Sequence, residues 1–169
     1  MKKLALVIMA FAFGYGFGTV VFAENVPIEG SVESRCLITT STSGVYGNPL
    51  PQKLSTAVVD GGVLPIVRYD ISLANAYKAK ITTPTAFSSS PALSDSVAWT
   101  GSTILGTTSA AGMSGYEAAK VVYDATTEFD LTVAGSTWFK STSTATYGYD
   151  KSFPGGIYSA IVVAECIAK

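Results

Sequence analysis

The chain has 169 residues, 48% of them hydrophobic, with 11 basic and 12 acidic residues and no histidine. That length suits one domain with a proper core, and the apolar share excludes a disordered stalk. Without histidine the usual general base, the Ser-His-Asp and Cys-His nucleophiles and most transition-metal sites are excluded.

Residues 1–23 read as a secretory signal. Lys2 and Lys3 form a short basic head, an apolar run follows, and Val21-Phe22-Ala23 offers small residues at the two positions a signal peptidase reads. Cleavage is expected after Ala23; an uncleaved membrane anchor is the alternative. Removal takes two of the 11 basic residues and none of the 12 acidic ones, leaving a net charge of −3. The charges that remain are scattered singly. No basic face for nucleic acid or anionic lipid results.

The mature chain then opens on "ENVPIEGSVESRC", residues 24–36, with Val26, Ile28, Gly30, Val32, Ser34 and Cys36 on every second position. This is the period of a half-buried strand, and the pattern continues to about Thr40. Gly44, Gly47, Asn48, Pro49 and Pro51 break the next stretch. "LSTAVVD" follows, then a Gly61-Gly62 turn, and "VLPIVRYDISL" alternates from Ile66 to Leu73. After a turn at Asn75, Tyr77, Ala79 and Ile81 alternate with Lys78, Lys80 and Thr82. The two runs together predict a hairpin with one wet face.

Residues 84–115 are the least regular, with "VAWTG" and "TILGT" as short strands or a long decorated connection. "AAKVVYDA" and "TEFDLTVAG" predict another pair of strands; "YEAAKVVYDA" alternatively reads as one or two helical turns. Residues 135–152 read as a loop. Pro154-Gly155-Gly156 suits a tight turn. From Ile157 to Ile167 the chain is apolar on both faces, which predicts a strand deep in a sheet or beside a partner and not at an open edge. Seven to nine short strands without a long helix indicate an all-β antiparallel β-sandwich, with no second domain, repeat or linker.

Two cysteines, Cys36 and Cys166, remain in an exported chain, and an even count in an oxidising compartment most simply gives one disulfide. Two free thiols or a bridge between chains are the alternatives. The carboxylate pairs Asp124/Glu128 and Glu128/Asp130 have the chemistry for glycoside hydrolysis, but strand alternation makes the latter pair a solvated face. "GYGFG" lies inside the signal, and no P-loop or metal-spaced cluster is present. Trp99, Trp138, Tyr147, Tyr149 and Phe153 read as core and turn packing, with carbohydrate stacking as the alternative. Neither an enzyme nor a cofactor is expected.

The signal, the alternating "VPIEGSVESRC" and the ending "FPGGIYSAIVVAECIAK", with its Gly156-Ile157-Tyr158 turn, together resemble the subunits of chaperone–usher pili, closest to a common-pilus type of major subunit. The resemblance implies an incomplete immunoglobulin-like sandwich over 35–169, preceded by a donor-strand extension over 24–34. It implies that Val26, Ile28, Gly30 and Val32 insert into a neighbouring subunit, an instance of β-strand addition. It further implies that Ile161, Val163 and Ile167 line the accepting groove. The implied partners are identical subunits in a fibre, a periplasmic chaperone that grips the carboxyl terminus at Lys169, and an outer-membrane usher. Export through the periplasm to the cell surface, and a structural role in adhesion and biofilm formation, follow from the same resemblance. A self-complete secreted sandwich, either an adhesin or a carbohydrate-binding module, is the alternative; there the same amino-terminal residues form a plain first strand.

Overall fold

A computed structural model describes residues 28–31, 33–109, 115–148 and 151–169. The signal segment with its expected cleavage site, Val26, Val32 and Tyr149 lie outside the described residues. The chain divides into two compact units, Met1–Ser31 and Val32–Lys169. In the first, Ile28 is 99% exposed and Gly30 has open space around its Cα.

The second unit is an antiparallel β-sandwich of two sheets. One sheet has six strands: β1 (Cys36–Thr42), β4 (Ile66–Ile71), β9 (Gly135–Tyr147), β3 (Lys53–Ser55), β2 (Gly47–Leu50) and β6 (Val97–Thr108). The other runs β10 (Val163–Ala168), β5 (Tyr77–Thr82), β8 (Thr126–Leu131), β7 (Val121–Tyr123). β9 is the spine of the first sheet. One flank pairs with β4 and then β3, and the other pairs with β6 along nearly its whole length.

Alternation explains which face each strand buries. Val67, Tyr69 and Ile71 of β4, Ala79 and Ile81 of β5, and Phe129 and Leu131 of β8 all turn inward. Burying each of the larger side chains contributes about 1.5–3 kcal/mol. Phe139 of β9 lies at the centre, its ring 4.3 Å from Phe129 and 5.6 Å from Tyr69. The outward residues of β5 and β8 carry charge: Lys78 pairs with Glu128 at 3.3 Å, so the expected solvated face of Glu128 and Asp130 is observed.

Three expectations are corrected. β4 and β5 do not form a hairpin: the chain turns at Asn75, in the left-handed region at φ 61°, and crosses from one sheet to the other. Each strand buries one face of its own sheet, a pattern that a hairpin and a sandwich corner share. Residues 135–147, expected to be loop, form the longest strand, β9. The two short strands expected near "VAWTG" and "TILGT" are one strand, β6, with a register shift between Leu105 and Thr107. The pair β7–β8 forms as expected, joined by a turn with Asp124 at φ 49°, and Tyr116–Ala119 make a single helical turn, α1.

Candidate functional site

A sandwich has two seams, where the edges of its sheets face each other. The seam at β6 and β7 is closed by the chain itself. Tyr116 of α1 is buried, 6.4 Å from the Phe139 ring, and the Glu117 carboxylate accepts the main-chain N–H of Leu105 on β6. Burial alone would raise the Glu117 carboxyl. The 2.6 Å pair with Lys120 and the Leu105 N–H outweigh it, and the pKa is lowered.

The opposite seam lies between β1 and β10. Among the described residues no strand pairs with the outer edge of either. Here the expectation of a doubly buried last strand is corrected: β10 is an edge strand. From Ile157 to Ile167 the side chains alternate strictly, odd residues exposed and even residues half-buried. Val162, Ala164 and Cys166 pack against the core together with Ile38 of β1. The ladder has the same parity. The Lys169 N–H donates to Ala76 O, and Ser159 exchanges main-chain hydrogen bonds with Ser89. In an extended chain the intervening even residues therefore aim their N–H and C=O groups at the open edge.

The seam is bounded at both ends. Cys36 and Cys166 form a disulfide that joins β1 to β10 with their Cα atoms 6.4 Å apart. A strand lying between two others requires about 9.6 Å, twice the inter-strand spacing, so none fits at that level. At the other end Tyr158 sits in an aromatic cluster, its ring 5.1 Å from both Phe87 and Phe153, and its hydroxyl donates to Pro154 O at 2.6 Å. Between these ends a cavity of about 300 Å³ opens between the sheets, lined by Thr40, Pro65 and Val67 on one side and Ala160, Ile161 and Val162 on the other.

Of the three residues expected to line an acceptor groove, Ile161 and Val163 lie together and Ile167 stands apart. Ile161 lines this cavity. Ile161 and Val163 together line a second one of about 290 Å³ with Thr82 and Phe87, and Ile167 faces outward beyond the disulfide, opposite Lys78. Val162 and Ala164, outside the expected set, face the core. The sequence did carry a signal for them: once Cys166 is joined inward to Cys36, every even residue of the run must face the same way.

Main-chain polar groups of this edge are also held from within. The Tyr69 hydroxyl, on β4, donates to Glu165 O at 3.1 Å and Lys80 O at 3.2 Å on the other sheet, and its burial pushes the phenol pKa well up. On the outer face Lys80 pairs with Glu165 at 2.8 Å, and that hydrogen bond raises the lysine pKa. Lys169, expected to be the chaperone's grip, is exposed and its ammonium reaches Asp130 at 3.0 Å.

Immediately before β1, Glu33 to Arg35 are tied to the body. The Ser72 hydroxyl donates to Glu33 O at 2.7 Å and accepts the Arg35 N–H at 2.9 Å, and the Ser34 and Tyr77 hydroxyls are 2.9 Å apart.

The remaining aromatics are peripheral or structural. Trp138 carries the Arg68 guanidinium over its ring at 5.2 Å, Trp99 packs 4.7 Å from Phe87, and Tyr147 is buried against Phe153 at 5.1 Å. Compared with protein-family models, curated proteins and solved structures, the chain finds no match.

Proposed function

We propose that this protein is a structural subunit of a surface fibre, an immunoglobulin-like pilin that polymerises head to tail when one copy's amino-terminal tail completes the next copy's sandwich. The observation that carries the proposal is the contrast between the seams. One is plugged by Tyr116 and Glu117 from the chain itself, whereas the other exposes half-buried apolar side chains and a strand edge that is unpaired among the described residues. An unpaired edge over an apolar groove favours β-strand addition, in which ladder hydrogen bonds give affinity and alternate side chains give specificity. The segment from Val26 to Val32 has the matching two-residue alternation, and Ile28, its largest side chain, is exposed.

The contact is heterologous and does not close on itself, so it propagates into a fibre. Until a neighbour arrives, the open seam needs cover, which is the role proposed for a periplasmic chaperone acting before an outer-membrane usher. The Cys36–Cys166 bridge fits an oxidising, exported environment.

The test is a gel of sheared cell-surface material, run with and without boiling. A ladder of multiples that collapses to one band on boiling supports the fibre. A single monomeric band under both conditions refutes it and favours a self-complete secreted module.

A further inference from the structure

We propose, building on the fibre reading above, that the Cys36–Cys166 disulfide acts as a physical stop that fixes the register of the incoming tail, seating Val26, Ile28, Gly30 and Val32 of a second copy opposite Ala164, Val162, Ala160 and Tyr158.

The acceptor edge has a defined length. It cannot include Cys166, because β1 and β10 are held 6.4 Å apart there and a strand between them requires about 9.6 Å. It ends at Tyr158, whose ring is committed to Phe87 and Phe153. That leaves residues 158–164, seven positions spanning about 20 Å. The tail's apolar alternation from Val26 to Val32 also has seven positions. Its carboxyl end is set by the body, since Glu33 and Arg35 are bonded through Ser72.

Parity agrees in three ways. The even residues of the edge aim their main-chain groups outward, so even tail residues form the hydrogen-bonded pairs. Pro27 then falls on an odd position, where its missing N–H points away from β10 and removes no ladder bond. The same parity turns Val26, Ile28 and Val32 toward the core and Glu29 and Glu33 toward solvent.

Every strand pair in the described residues is antiparallel, so the tail is placed antiparallel to β10. Ile28 then lies at Val162, beside the cavity floored by Val67. Sliding the tail by two residues toward the carboxyl terminus brings Val26 against the disulfide. Sliding it by four sets Glu29 opposite Glu165, whose carboxylate already serves Lys80, and like charges directly opposite are destabilising.

The test uses the full mature chain assembled into fibres, with Ser31→Cys combined in turn with Ile157→Cys, Ser159→Cys, Ile161→Cys or Val163→Cys. All five positions are exposed, so no core side chain is changed. The register predicts a boiling-resistant, reducible ladder for Ser31→Cys with Ser159→Cys. Dominance of Ile161→Cys or Ile157→Cys means a slipped register, dominance of Val163→Cys means a four-residue slip or a parallel tail, and fibres with no cross-link mean another surface; each overturns the inference. Repeating the panel with Cys36→Ser and Cys166→Ser removes the stop, and the cross-link should spread to Ile161→Cys. If it stays confined to Ser159→Cys, the disulfide is not the stop. Absence of fibres from the unmodified chain refutes the fibre reading itself, a result distinct from all of these.

Discussion

The hydroxyl of Tyr69 reaches across the interior to the main-chain oxygen of Glu165, 3.1 Å away, tying the middle of one sheet to the edge strand of the other. Tyr69 is fully buried, and it holds β10 from inside, while no strand among the described residues pairs with the outer edge of β10. Tyr69→Phe keeps the ring and deletes the bond. It should cost about 1 kcal/mol, read by chemical denaturation, with faster amide exchange concentrated in β10.

The plugged seam should matter more to stability. Tyr116→Ala removes a buried aromatic side chain packed beside Phe139 and leaves a void at the β6–β8 side of the core. A loss of about 3–5 kcal/mol is expected, seen as a large fall in the denaturation midpoint. A change under about 1 kcal/mol would mean that α1 does not close this seam.

The disulfide spans 130 residues of sequence. In the chain-entropy account, closing so long a loop contributes up to about 5 kcal/mol. Reduction, or Cys36→Ser with Cys166→Ser, should therefore lower the unfolding midpoint sharply, and should do so in the monomer as well as in fibres.

Acid should weaken the body and mild pH changes should not. Glu128 is lowered by the hydrogen bond from Tyr123 and then by Lys78; Glu117 is lowered by Lys120 and the Leu105 N–H against its own burial. A carboxyl with a depressed folded pKa contributes stability that is fully present above its unfolded value and is lost as pH falls through the folded one. Stability should decline below about pH 4, the ordinary carboxyl range. With no histidine in the chain, thermal midpoints between about pH 5 and 8 should be nearly flat.

Much of the sandwich was legible because its paired strands alternate visibly: Val67, Tyr69 and Ile71, or Phe129 and Leu131, announce which face is wet. β9 did not, since its buried positions include Thr137, Ser141 and Ser143. These hydroxyls are tolerated inside because they find partners, Ser141 with Thr103 and Ser143 with Tyr46, each at 2.9 Å. With Thr137, Ser141 and Ser143 interspersed among Phe139, Ala145 and Tyr147 on its inward face, β9 has a broken hydrophobic period and reads as a loop. The open seam was obscured for the opposite reason. From Ile157 to Ile167 both faces are apolar, so composition alone could not separate core-facing Val162 from outward Val163. The disulfide decides that parity, and it also shortens the groove so that Ile167 falls outside it.

Under the fibre proposal, Ile28 separates the tail's work from the body's. It is 99% exposed, so Ile28→Asp should leave the unfolding midpoint within about 0.5 kcal/mol of the parent. A charge entering an apolar cavity is costly, so the same substitution should abolish fibre formation.

The most direct measurement is electron microscopy of the chain with residues 24–32 deleted, beside the undeleted chain produced in the same cells. The full chain should form fibres, and the shortened one should remain a folded, disulfide-bonded body without them. Fibres from the shortened chain would show that subunits join through some other surface, and the borrowed strand would have to be abandoned.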